Sequence, residues 1–262
     1  MASWDLMFRS FRVLRRDKQL VLFPILSTLA AAAVSAPFAF ALFGTGGVPH
    51  RWQPVDFALV FAWYVTANFA VVFFNCALAA SAQRFFEGAD PSMGEGMRVA
   101  LERAPAILGW ALISGTAGVF LRWLNERAGL VGRIAIGVLG FGWSLATYLI
   151  VPVLVIEERG VVDSIRRSGE LLRKTWGDQI CGAIAFGWMG LLFAIPGVVL
   201  GAIAVKGFWP LLPVAMLYIV AMAAVFSAAR QVFTVALYRY ATTGEPPEGY
   251  TGEGLSGAVR QR

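Results

Sequence analysis

Residues Val151 to Asp178 read VPVLVIEERGVVDSIRRSGELLRKTWGD: an apolar run stops at Glu157, Glu158 and Arg159, an amphipathic segment follows Gly160, and another apolar run begins after Asp178. At helical spacing Val161, Ile165, Ser168, Leu172 and Trp176 fall on one stripe, while Asp163, Arg166, Arg167, Glu170, Arg173 and Lys174 crowd the other. Such a helix, set between two apolar runs of membrane length, is expected to lie in the headgroup plane with its apolar side down and its arginines toward anionic lipid. A solvated connector helix is the alternative. Trp176 at the expected membrane boundary and the abrupt charged stop at Glu157 favour the interfacial reading. Asp163 with Arg167, and Glu170 with Lys174, stand four apart, a spacing at which ion pairs contribute about 0.2–0.5 kcal/mol each.

The same charge logic divides the rest of the chain. Long uncharged runs extend from Leu20 to Phe43, Phe57 to Gln83, Ala104 to Leu121, Ile134 to Ile156, Gln179 to Val205 and Gly207 to Ala229. Each is close to or above the roughly 18–20 residues a helix needs to cross about 30 Å of hydrocarbon. With 58% hydrophobic and 15% charged residues, the chain has no polar remainder to enclose such helices in a soluble shell. Strand-period alternation is absent, which disfavours a membrane barrel. The expected fold class is therefore all-α: a polytopic membrane protein with six transmembrane helices in a single domain over residues 1–241. A flexible cytoplasmic tail, residues 242–262, follows, rich in Gly, Pro and Glu.

Orientation follows from the cations. Arg9, Arg12, Arg15, Arg16, Lys18, Arg84, Arg98, Arg103, Arg159, Arg166, Arg167, Arg173, Lys174, Arg230, Arg239, Arg260 and Arg262 fall on the side of the N-terminus; Arg51, Arg122, Arg127, Arg133 and Lys206 fall on the other. The positive-inside rule then puts both termini in the cytoplasm and answers the net charge of +6 better than nucleic acid does. Aromatic residues agree, with Trp52, Trp123 and Trp209 at the outer boundary and Trp4, Trp176, Tyr238 and Tyr240 at the inner one. The basic start resembles a signal peptide, but the apolar run to Phe43 is too long for one and the basic stretch is patterned as a helix.

An amphipathic helix precedes each pair of spans, so the order reads as three repeats of interfacial helix plus two spans. In the first, from Ser3 to Lys18, Trp4, Met7, Phe8, Phe11 and Leu14 share a stripe and Arg9, Arg12 and Arg16 oppose it. The second opens at Ser92, with Glu95 spaced for a capping box and Met93, Met97, Ala100, Leu101 and Ala104 as its apolar side. Ser10-x-x-x-Leu14-Arg15-Arg16 also matches Ser168-x-x-x-Leu172-Arg173-Lys174. Gly197 and Gly201 form a G-x-x-x-G suited to close helix packing within the monomer, and Pro196 predicts a kink there.

Chemistry is sparse. Asn68 and Asn75, seven apart in the second span, share a face that either hydrogen-bonds to a neighbouring helix or lines a polar path. No Asp, Glu, Lys, Arg or His stands in the middle of a span, His50 reads as a loop residue, and Cys76 and Cys181 read as small apolar residues within spans. No P-loop, nucleotide fingerprint, metal-ligand cluster or nucleophile–base pair is present, so no enzyme activity, cofactor or metal is expected.

FRVLRRDKQLVLFPILS, PVLVIEERGVVDSIRRSGELLRKTWGD and ALYRYATTGEPPEGY together resemble an uncharacterised bacterial six-span family, itself similar to the membrane domain fused to some glycerophosphoryl diester phosphodiesterases. The resemblance implies an inner-membrane protein and supplies no catalytic residues. The expected function is a membrane scaffold or lipid-interacting protein, with Arg9, Arg12, Arg16, Arg166, Arg167, Arg173 and Lys174 on anionic headgroups. The alternative is a passive transporter or lipid-translocating protein with a polar path along the second and fifth spans. Anionic lipids are the expected partners, and a second copy or another membrane protein is an open one.

Overall fold

The computed structural model describes residues 10–43 and 53–244, and the backbone alone of residue 43 and residues 174–186. Every regular element among the described residues is an α-helix: α1 (residues 10–16), α2 (Gln19–Phe43), α3 (Pro54–Phe86), α4 (Met93–Glu102), α5 (Ala104–Arg127), α6 (Leu130–Ala146), α7 (Ile150–Ile156), α8 (Val161–Val205) and α9 (Leu211–Thr243). Among the described residues, six stretches are long and apolar enough to cross a membrane: Gln19–Leu42, Pro54–Phe86, Ala104–Arg127, Leu130–Ile156, Gly187–Val205 and Leu211–Thr243. They fall on the six uncharged runs, as backbone that must satisfy its own hydrogen bonds in lipid requires. Arg9, His50, Trp52 and the tail beyond residue 244 lie outside the described residues.

Two boundaries differ from the sequence reading. The amphipathic segment after Gly160 is no separate helix; it is the N-terminal part of α8, which continues unbroken for 45 residues, about 68 Å at 1.5 Å per residue. No proline interrupts α8 before Pro196, and an interior glycine costs a helix only about 1 kcal/mol relative to alanine. The fourth span, by contrast, breaks: α6 ends at Ala146, residues 147–149 form a turn, and α7 resumes at Ile150.

α3 is the hub and touches α2, α4, α5, α7 and α9. Its run from Cys76 to Ala82, CALAASA, is buried throughout except for marginal exposure of Ala80, and its small side chains let neighbouring backbones approach. Leu149, Val153 and Leu154 around α7 and Ala228, Val232, Phe233 and Ala236 of α9 complete the same buried cluster. The core thus gathers at the end where α3 and α9 finish and α2 begins. Toward the opposite end, Val131, Ile134, Val138, Leu212 and Met216 are exposed. Between helices in hydrocarbon there is no hydrophobic driving force, so lipid satisfies such faces as well as a neighbouring helix would.

The amphipathic segments dock on this core. Gly96 of α4 lies against Ala77 and Ser81 of α3, and Phe11 of α1 meets Phe226 of α9 edge-on with ring centroids 5.2 Å apart. At the break between α6 and α7, Ser168 of α8 accepts a hydrogen bond from the Leu149 N–H at 3.2 Å. Beyond that shared docking the three units differ, since the third fuses its segment to a span and the second breaks a span. Ser168 and Leu149 are both fully buried. Replacing Ser168 by alanine leaves that N–H without a partner and is expected to cost about 1–3 kcal/mol, read as a lowered midpoint of thermal unfolding in detergent; Ser168→Thr, which keeps the hydroxyl, is the control.

The buried stripes also sit off the expected ones. In α4 the buried residues are Gly96 and Ala100, while Leu101 is 62% exposed. In α8 Ser168 of the expected stripe is buried and Val161, Ile165 and Leu172 are half-buried, but Ser164 and Leu171, flanking that stripe, are buried more deeply than those three. Ser92 makes no side-chain cap, and Glu95 pairs with Arg84 and Arg98. Tyr238, expected in an aromatic belt, is only 5% exposed and points inward.

Candidate functional site

The end that holds the core also holds the charge, and its carboxylates are largely taken up by structure. Glu157, just past α7, is the acceptor at the centre: Arg159 Nε donates at 2.6 Å, Arg167 Nε at 3.1 Å and the Tyr238 hydroxyl at 3.2 Å. The cluster ties the α7–α8 corner to α9, 81 residues away in sequence. Hydrogen bonding to Glu157, followed by its charge and that of Glu170, holds the Arg167 guanidinium above its ordinary pKa, against partial burial. Arg167 therefore pairs with Glu157 and Glu170 and not with Asp163, the partner its spacing suggested. Arg103 reaches Glu158 at 3.5 Å, and Glu158 holds a left-handed backbone, φ 54°, at the tight corner. Arg98 pairs with Glu102 on α4.

The arginines expected on headgroups therefore separate. Arg167 belongs to the Glu157 cluster. Arg12, Arg16, Arg166 and Arg173 are exposed, and none of them is in an ion pair with a described carboxylate; the same holds for Arg15. The side chain of Lys174, like that of Trp176, lies outside the described residues, as does Arg9.

Arg12 and Arg16 also line a cavity of about 400 Å³ between α1 and the loop after α3, shared with Val13, Asp17, Phe85, Phe86, Gly88, Ala89, Asp90 and Pro91. The loop is built by a Schellman turn: Ala89 N–H bonds to the Arg84 carbonyl and Gly88 N–H to the Phe85 carbonyl, each at 3.1 Å. Gly88 sits at φ +77°, a conformation glycine enters without the Cβ penalty. An apolar groove on α5, lined by Leu112, Ile113, Thr116, Ala117 and Phe120, is a second cavity. Neither cavity includes Asn68 or Asn75.

Those two asparagines behave differently. Asn68 Nδ2 donates to Ser114 Oγ at 2.8 Å and to the Ala111 carbonyl at 3.3 Å, tying α3 to α5. Asn75 is half-buried and makes no side-chain hydrogen bond among the described residues. Replacement of Asn68 by alanine is expected to lower stability by about 0.6–2 kcal/mol, measured by thermal unfolding in detergent, whereas Asn75→Ala is expected to fall within about 0.5 kcal/mol of the parent.

Gly197 packs on Ile219 and Tyr218 of α9, so the first glycine of the G-x-x-x-G serves packing within the chain, while Gly201 meets nothing within 4 Å. Tyr218 donates to the Phe193 carbonyl at 3.0 Å, in the turn that Pro196 deprives of an N–H. Gly115 and Gly118 admit the Tyr64 ring against α5. No group of three or more His, Cys, Asp or Glu placed to hold a metal occurs among the described residues.

No curated protein and no solved structure matches the chain. One family model does, over residues 54–248, from the start of α3 through the end of α9 and the core and Glu157 cluster between them; the chain belongs to this family of unknown function, DUF6159.

Proposed function

We propose that the protein is a non-enzymatic scaffold of a bacterial cytoplasmic membrane, with both termini and the core end on the cytoplasmic side, which binds anionic lipid through that basic end. The observation that carries this is the division of charge there. Glu95, Glu102, Glu157, Glu158 and Glu170 are in ion pairs, while Arg12, Arg15, Arg16, Arg166 and Arg173 stand without a described carboxylate partner. Cations left over at the level of the membrane boundary attract anionic headgroups at about 1 kcal/mol each.

A passive path along the second and fifth spans is the second reading, favoured by the unpartnered Asn75. Against it, Asn68 is committed to α5, and α8 packs on α9, α7, α6 and α5 rather than along α3. The full chain in nanodiscs, extracted into mild detergent and examined by native mass spectrometry, separates the readings. Retention of phosphatidylglycerol is expected to fall by up to about a hundredfold in the Arg15→Gln, Arg166→Gln, Arg173→Gln triple variant. Unchanged retention would remove the basic-face reading.

A further inference from the structure

We propose that the cavity between α1 and the α3–α4 loop is a binding site for a phosphoethanolamine group, its phosphate held by Arg12 and Arg16 and its primary ammonium by Asp90 and Asp17. This deepens the lipid reading above, because it places a headgroup site where α2 begins and α3 ends, at the membrane boundary of both spans.

The geometry carries both signs of charge to one cavity. Arg12 and Arg16 stand one helical turn apart on α1, and the Arg16 guanidinium lies over the Phe85 ring at 6.0 Å, which holds it at the wall. Two guanidiniums supplied to one cavity from successive turns of a helix suit the oxygens of one phosphate, which they recognise by charge-assisted hydrogen bonds. On the other side, the Schellman turn at Gly88 and the proline at residue 91 bracket Asp90 and fix its backbone. Asp90 is in no ion pair among the described residues. Asp17 spends one carboxylate oxygen on the Gln19 N–H at 2.8 Å and keeps the other.

The arginines do not neutralise these aspartates directly, since no ion pair within 4 Å joins them. A ligand with phosphate alone would meet two carboxylates of its own sign. A choline group has no N–H to donate, and its usual aromatic cage is missing because Arg16 already covers Phe85. A primary ammonium, with three donors, matches the two carboxylates. Phe86 and Val13 supply the apolar wall that a lipid glycerol end would touch.

The test is native mass spectrometry of the full chain with three lipids offered together, phosphatidylethanolamine, phosphatidylcholine and phosphatidylglycerol, and separately with free phosphoethanolamine. Wild type is expected to retain phosphatidylethanolamine about tenfold better than phosphatidylcholine, the equivalent of one charge-assisted hydrogen bond. Asp90→Asn is expected to abolish that preference, and Arg12→Gln with Arg16→Gln to abolish retention of phosphatidylethanolamine at this site; a thermal midpoint within a few degrees of wild type shows that each variant is folded. Asp90→Asn is nearly isosteric and exposed to one side of the cavity, so it keeps the test decisive if the arginine pair variant does not fold. Binding of free phosphoethanolamine without retention of the lipid would support the site and assign it to a soluble ligand. Equal retention of the three lipids, or a preference that survives Asp90→Asn, would overturn the site. Because Arg15, Arg166 and Arg173 are untouched here, phosphatidylglycerol retention still reports on the basic face independently.

Discussion

Gly96→Leu is expected to abolish production of monodisperse protein, and Gly96→Ala to lower stability by about 1–3 kcal/mol through overpacking, read by size-exclusion chromatography and thermal unfolding in detergent. A Cβ on Gly96 would meet the Ser81 hydroxyl, the Ala77 carbonyl oxygen at 2.5 Å and Phe23 Cζ at 3.3 Å. Phe23 is fixed, being almost wholly buried, and Ala77 presents backbone in the middle of α3. No rotamer change relieves such a contact, so α4 must lift away from α3. That movement would strip Ala100 from the core and strain the Arg84–Glu95 pair across the same contact. Gly201→Ala supplies the contrast: nothing lies within 4 Å of its Cβ position, and an interior helical alanine is favoured over glycine by up to about 1 kcal/mol. Destabilisation of similar size at both sites would refute the close docking of α4.

Glu157→Ala is the second large effect, with an expected loss of about 2–4 kcal/mol, the range for breaking a mostly buried ion pair after allowing for the exposed arginine. Glu157 is 14% exposed at its side chain, and its removal leaves Arg167 with Glu170 alone, Arg159 without its carboxylate and the buried Tyr238 hydroxyl without an acceptor. Glu157→Gln keeps an acceptor for Tyr238 while losing the charge, so its cost is expected to be about half. Tyr238→Phe removes only the neutral donor. A double-mutant cycle between Glu157→Gln and Tyr238→Phe measures the coupling across the α7–α9 contact; a coupling indistinguishable from zero would show that the hydrogen bond contributes nothing.

The six spans were legible because a span is a local property. Any uncharged apolar run of sufficient length satisfies its backbone internally and its side chains in lipid, whatever the rest of the chain does. Leu20 to Phe43 and Gln179 to Val205 needed no partner to be identified. The arginine side of each amphipathic segment was legible for a similar reason, since it depends on which residues are charged and how they are spaced. What failed was the inference from stripe to contact. Leu101 and Tyr238 carry strong hydrophobic and aromatic signals, yet one is exposed and the other is buried in an ionic cluster. Gly96 and Ser164 carry almost no hydropathy signal, yet they are buried where the segments dock, beside Ala100 and Ser168, which the expected stripes did include. The spacing of small residues, Gly96-x-x-x-Ala100 and Ser164-x-x-x-Ser168, was the available clue.

By itself, then, the amino-acid order determined the helical class, the number of apolar spans and the concentration of cations at one end, because each follows from hydropathy and charge summed over a neighbourhood of the chain. Only the tertiary structure decided that α8 runs without a break from its basic segment into its span, and that the α6–α7 turn gives its Leu149 N–H to Ser168. It alone placed Glu157 between Arg159, Arg167 and Tyr238, and set Arg12 and Arg16 across a cavity from Asp90. These choices depend on which backbones can approach and which buried polar groups must be paired, and both conditions are set by residues far apart in sequence.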